Sequence, residues 1–148
     1  MFSIRKKRQE TDLENESTEL SQLDIKEILR TIPHNKAFFF YRDIEKPIGQ
    51  IATSLIDFRS KINIVPSSSL AFHMKRKDFE NWIRKIIRDP ELAMRISNIN
   101  PNDFDLKMKL YSTINTRVKE LREKLSTQIF TSNDVVVSSE QPKVEFTK

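Results

Sequence analysis

The 148-residue sequence has no cysteine, a single glycine (Gly49), and no apolar run long enough to span a bilayer. Each absence removes a class of function. Without thiols there are no disulfides, no thiolate nucleophile and no cysteine-built zinc cluster, which fits a reducing compartment, so a cytoplasmic location is expected. Dinucleotide and P-loop sites need several glycines where backbone meets phosphate, and one glycine builds neither. Tight primed hairpins and β-sandwiches use glycine in turn after turn, so helix is expected to dominate. A membrane-spanning helix needs about 20 apolar residues, and the opening MFSIRKKRQE passes from basic residues into acids with no apolar stretch. Neither a membrane span nor an export signal is expected.

Charge is distributed unevenly. The formal net charge is +5, and residues 31–100 alone hold twelve basic side chains against seven acidic ones. The positive excess sits in the middle of the chain, which makes a polyanion a candidate partner.

Residues 1–16 offer nothing to bury and are expected to form a disordered tail. Residues 17–130 read as one helix-rich domain, and 131–148, with its Val135-Val136-Val137 run, as a flexible tail or stray edge strand. Within the domain, Leu20, Leu23, Ile28, Leu29 and Ile32 recur at helical spacing up to Pro33. Ala37 to Tyr41 is short, aromatic and strand-like, and Ile48 to Thr53 is its pairing partner. Ser54 with Asp57 three residues on marks a helix start, with Leu55, Phe58 and Ile62 on one face. A serine-capped segment carries Leu70, Phe72 or His73, and Met74. Asp78 then opens a helix whose apolar positions Phe79, Trp82, Ile83, Ile86 and Ile87 step by three and one. Asp89-Pro90-Glu91 starts one more short helix.

The last helix, expected from about Phe104 to Ile129, would run about 40 Å. Tyr111, Ile114, Val118, Leu121 and Leu125 step 3, 4, 3, 4 along it, the spacing of a coiled-coil seam. These five residues are the expected interface of a homodimer, with the helix projecting from its domain. The fold expected is α+β and mostly helical: a small aromatic two-stranded ribbon packed by four or five helices.

The order FFFY, ATSLIDF, SLAFHMKRKDFENWI and DPELAMRI resembles a family of uncharacterised archaeal domains. That family has an aromatic strand, an A-S-L-x-x-F helix, an F-H-x-x-R-x-D-F-x-x-W-I block and then D-x-x-L-A. The matching positions are Phe38 to Tyr41, Ala52, Ser54, Leu55, Phe58, Phe72, His73, Arg76, Asp78, Phe79, Trp82, Ile83, Asp89, Leu92 and Ala93, within residues 37–97. The tract RDIEKPIGQ departs from the family, being charged where relatives are rich in glycine and threonine. The resemblance implies an archaeal source and a stand-alone or fused accessory module, sometimes beside carbohydrate-active enzymes.

Three clusters could carry chemistry. His73 with Asp78 and Glu80 invites a metal or acid–base reading, but the chain has only two histidines, the other being His34. Three protein ligands are hard to assemble from them, so no metal, cofactor or catalytic site is expected. The plainer reading is that the His73 ring bonds backbone or Asp78 beside Trp82, and that Asp78 is a helix cap. Lys75, Arg76, Lys77, Arg84, Lys85 and Arg88 form a basic row, with positions 77, 84 and 88 on one face opposite the apolar stripe. Such a row neutralises phosphates, and nearby aromatic rings could stack on unpaired bases. Phe38 to Tyr41 alternate faces when extended, so one pair points away from the core as a stacking platform unless both faces are covered; burial of both pairs under the helices is the expected outcome. The leading expectation is a non-enzymatic binding or adaptor module, dimeric through its last helix, with single-stranded nucleic acid or another protein as possible further partner. The alternatives are a single-stranded nucleic acid binder using the basic row and, on the resemblance alone, an accessory or sensor protein of carbohydrate metabolism.

Overall fold

Short polar side chains cap the helices that start after Ser21, Ser54 and Asp89, whereas the helix after Pro66, expected to be serine-capped, has no side-chain cap. The computed structural model describes residues 19–132, with side chains through 128; the expected tail over 1–16 lies outside the described residues, and so does the expected tail over 131–148 except for 131 and 132, which continue the last helix. Ser21 and Asp24 exchange side-chain and backbone bonds of 3.1 Å to form a capping box, which starts α1 (Gln22–Leu29). Ser54 Oγ accepts from the Asp57 amide at 3.0 Å at the start of α2 (Leu55–Ile64). The Asp57 carboxylate in turn takes the Thr53 amide, so the residues just before the helix are held as well.

Between these helices lie a short 3₁₀ turn (His34–Lys36) and an antiparallel ribbon of β1 (Phe38–Asp43) and β2 (Lys46–Ala52). Phe38 pairs with Ala52 and Phe39 with Ile51, but Tyr41 pairs with Pro47, so the register shifts through a bulge in β2. Gly49, the only glycine, sits in that bulge with φ +77°, where a side chain would be strained.

After the ribbon the chain is helical: α2, α3 (Ser67–Arg76), α4 (Asp78–Trp82), α5 (Pro90–Ser97) and α6 (Leu106–Ser132). Lys77, with φ 64°, makes the corner between α3 and α4. Past Trp82 the chain winds wider over Ile83–Ile87, and the Arg88 amide reaches back five residues to the Ile83 carbonyl at 2.8 Å. Arg30, at the end of α1, donates to the Ile86 carbonyl from that turn at 2.8 Å. The α+β, mostly helical architecture is therefore as the sequence indicates, with a two-stranded ribbon and six α-helices among the described residues.

One core runs through all these elements. Phe40, Phe58, Phe79, Leu55, Leu70 and Ile83 are fully buried in it. Ile25 and Ile28 are the inner face of α1, while Leu23, expected on that face, points to solvent.

The largest correction concerns α6. Its stripe Leu106, Leu110, Ile114, Val118 and Leu121 is buried within the chain, with Tyr111 and Leu125 packed at its edge. α1, α2, α3 and α5 all contact α6. Near its end, Gln128 donates to the Leu20 carbonyl at 3.3 Å. The expected dimer seam Tyr111, Ile114, Val118, Leu121 and Leu125 is thus the domain's own core edge, and the helix does not project over that length. The heptad spacing misled because a helix covered along its length by four others shows the same spacing as one paired in a coiled coil.

Arg117 follows from the same placement. On α6 but nearly buried, it donates to both oxygens of the fully buried Asp89 at 2.8 and 2.9 Å. Asp89 also accepts from the Leu92 amide and so caps α5. A forked guanidinium on a carboxylate that accepts three donors, two from Arg117 and one from the Leu92 amide, is the arrangement in which a buried ion pair is tolerated.

Because Leu121 is fully buried, Leu121→Glu should lower unfolding free energy by about 3 kcal/mol or more, combining a lost core side chain with an unpaired buried charge. Denaturant melts measure it. A variant as stable as the parent, with altered mass in light scattering, would restore the seam to the surface.

Candidate functional site

His73 is the centre of the most organised polar cluster. It is placed by α3, nearly buried, and ringed by Phe38, Phe40, Phe72 and Phe79 with centroids 4.8 to 6.0 Å away. Its Nε2 lies 2.9 Å from the Tyr41 amide and its Nδ1 lies 2.8 Å from Asp78 Oδ2. A backbone amide can only donate, so Nε2 must be the bare nitrogen and Nδ1 must carry the proton it gives to the carboxylate. One tautomer of the neutral ring satisfies both contacts. Burial lowers the His73 pKa from its ordinary 6.5, against the opposing pull of the Asp78 carboxylate.

The same strand is gripped twice more. Ser69 Oγ donates to the Tyr41 carbonyl at 2.7 Å, and Trp82 Nε1 donates to the Lys36 carbonyl just before β1 at 2.9 Å. Asp78, expected as a helix cap, instead spends its carboxylate on His73 and on Arg76 Nε at 3.0 Å. The helix start falls to Lys77, which caps with backbone alone.

Outside this clamp, the strand, the hairpin tip and the α3–α4 corner enclose an open cleft of about 530 Å³. Phe39, Tyr41, Phe72 and Trp82 supply its rings; Asp43, Glu45, Asp78 and Arg76 supply its charges. The expected burial of all four ring residues of the strand does not hold, because only one face of the ribbon is covered: Phe38 and Phe40 are buried, while Phe39 is 41% exposed and Tyr41 half-buried. Phe39 lies against His34 at 5.3 Å. The hairpin tip was not recognisable as part of a site, since Ile44-Glu45 has no turn glycine and Glu45 itself takes φ 58°.

All six residues of the basic row are exposed, but they do not form one helix face. Lys77 and Arg88 are left-handed caps and the chain between Ile83 and Ile87 winds wider than an α-helix, so helical spacing from 77 to 88 does not apply. Arg76 is held by Asp78 and lies over the Phe72 ring at 5.2 Å. Arg84 faces Glu80 at 3.9 Å and Arg88 faces Glu27 at 3.6 Å. Lys75, Lys77 and Lys85 make no ion pair among the described residues. Among the described residues there is neither a cluster of three metal-ligating side chains nor a helix long and apolar enough to cross a membrane.

A second groove, also about 530 Å³, lies where α2 ends and α6 begins, lined by Asn63, Phe104, Met108 and Tyr111. Phe104 is fully exposed there, so it precedes α6 without joining the core. Comparison with protein-family models, with curated proteins and with solved structures finds no match for the chain.

The His73 assignment has a pH consequence. An unfolded chain takes up a proton at His73 near pH 6.5, whereas the folded chain resists it until lower pH, so between those values the unfolded state binds more protons. The contribution is fully present above pH 6.5 and is lost as pH falls through the window below it. Unfolding free energies measured from pH 7 down to pH 5 should decline in the parent and be flatter in His73→Gln, which keeps an acceptor but does not titrate. Equal slopes would mean that His73 is not buried as a neutral ring.

Proposed function

We propose that this chain is a non-enzymatic binding or adaptor module whose ligand enters the cleft between β1 and the α3–α4 corner. The observation that carries the reading is Phe39, a large apolar side chain left 41% exposed at a cleft whose other walls are also aromatic. An apolar concavity with a few convergent charged groups is the ordinary form of a ligand site. Catalysis is the weaker reading because both nitrogens of His73 are engaged by the protein itself. A general base needs a lone pair that can reach the substrate.

The resemblance of residues 37–97 to uncharacterised archaeal domains supports the same reading. The residues that carry it, His73, Arg76, Asp78 and Trp82 among them, build the clamp and one wall of the cleft. The α6 seam is occupied within the chain, so the reading takes no second copy through it. A cysteine-free chain fits a reducing compartment, and the reading places it in the cytoplasm.

Single-stranded nucleic acid is the second reading, favoured by the exposed Lys75, Lys77 and Lys85. Against it, three of the six cations already face carboxylates and the cleft carries Asp43 and Glu45, where a phosphate would be repelled.

Trp82 is the chain's one tryptophan and lines the cleft, so its fluorescence reports occupancy. In a panel of short peptides, oligonucleotides and small aromatic ligands, at least one class should shift its emission. Phe39→Ala should abolish that shift while leaving the denaturant midpoint nearly unchanged. Binding indifferent to Phe39→Ala would move the site elsewhere.

A further inference from the structure

We infer that the cleft takes a cationic group, the guanidinium or ammonium of a basic peptide. This rests on the binding reading above and assigns the charge of its ligand. The cleft's lining holds three carboxylates, Asp43, Glu45 and Asp78, against one guanidinium, Arg76. His73 adds no charge, since its two bonds require the neutral ring. The local balance is therefore negative on a chain whose formal net charge is +5. A positive surface with one acidic, aromatic-walled concavity selects for a cation there and against a phosphate.

The carboxylates differ in what they have left to give. Asp78 is spent on His73 and Arg76, and Arg76 neutralises it at 3.0 Å. Asp43 uses Oδ1 on the Ile44 amide at 2.7 Å, and its carboxylate makes no ion pair among the described residues. Glu45, exposed at the hairpin tip, makes none either. Two carboxylates thus stand at the rim beside the exposed ring of Phe39. An aromatic face attracts a cation through its quadrupole, most strongly for Trp and less for Tyr and Phe.

The cleft wall already contains one such contact. The Arg76 guanidinium lies 5.2 Å from the Phe72 centroid with Asp78 as its counter-ion, a ring, a cation and a carboxylate held together by the chain itself. Phe39 with Asp43 and Glu45 offers the ring and the carboxylates without the cation.

The test uses the full chain and capped Gly-Arg-Gly, Gly-Lys-Gly, Gly-Ala-Gly and Gly-Glu-Gly peptides, followed by amide NMR shifts across residues 37–45 and 72–82. The arginine peptide should bind best, lysine next, with alanine and glutamate weakest. Phe39→Trp should tighten arginine-peptide binding by about threefold and Phe39→Leu should weaken it by about as much, since leucine keeps the apolar surface but has no quadrupole. Asp43→Asn with Glu45→Gln should weaken it by about fivefold and remove most of its salt dependence. Both positions are exposed, so these variants should fold, and unchanged denaturant midpoints check that they do. Equal binding of the alanine or glutamate peptide, or equal affinity of the Leu and Trp variants, overturns the cationic ligand while leaving a binding cleft. Shifts confined to other surfaces overturn the cleft as well. No shift with any peptide overturns the cationic ligand, and the wider ligand panel then decides whether the cleft binds at all.

Discussion

A two-stranded ribbon in water is marginal, and the way this one is held determines most of the remaining structure. Tyr41 exposes an amide and a carbonyl on the ribbon's outer edge, and α3 answers both, the amide with His73 and the carbonyl with Ser69. Five residues before Tyr41, the Lys36 carbonyl is tied to Trp82. These three bonds come from a short run of chain, 69 to 82, that turns sharply at Lys77, so the corner and the strand position each other. With the strand fixed, Phe38 and Phe40 must enter the core and Phe39 must face away. The cleft is the consequence of that alternation: the clamp buries one set of rings and leaves another open.

The clamp needs a rigid back wall, and α6 supplies it. Its buried stripe touches four other helices, while Arg117 reaches into the core to hold Asp89 at the start of α5. Arg95 on α5 reinforces the same contact from outside, bonding Glu91 and Glu120, and this holds the Glu120 carboxyl below its usual range. Removing one member of the buried pair would strand a charge in a dry environment, which is far costlier than replacing both by apolar side chains. The helix that looks most like an interaction surface by its spacing is the one on which the domain is assembled.

Local signals were legible in the sequence wherever one residue's chemistry decides one element. Ser54 and Asp89 read correctly as caps, the FFFY run as a strand, and Phe79, Trp82 and Ile83 as an inner face. The plainer reading of His73, a ring bonded to backbone or to Asp78, gave two alternatives that the geometry realises together. What could not be read depended on distance in the chain. Arg117 is 28 residues from Asp89, and nothing in its neighbourhood on α6 marks it as buried. The helical wheel for the basic row assumed an unbroken α-helix, which a left-handed Lys77 and a wide turn at 83–87 interrupt. The hairpin tip carries no turn glycine, so its two carboxylates could not be placed beside Phe39 from spacing alone.

The ribbon and the α3–α4 corner are joined through a buried His73 with both ring nitrogens engaged, Nε2 by the Tyr41 amide and Nδ1 by Asp78. The ring's tautomer states this directly, because only the ring protonated at Nδ1 can accept from Tyr41 and donate to Asp78 at once. Long-range nitrogen–proton correlation NMR of the His73 ring at neutral pH distinguishes the three states. The account requires a bare Nε2 and a protonated Nδ1, with the Tyr41 amide protected from hydrogen exchange. A ring protonated at Nε2 or at both nitrogens, or a Tyr41 amide that exchanges freely, would contradict it.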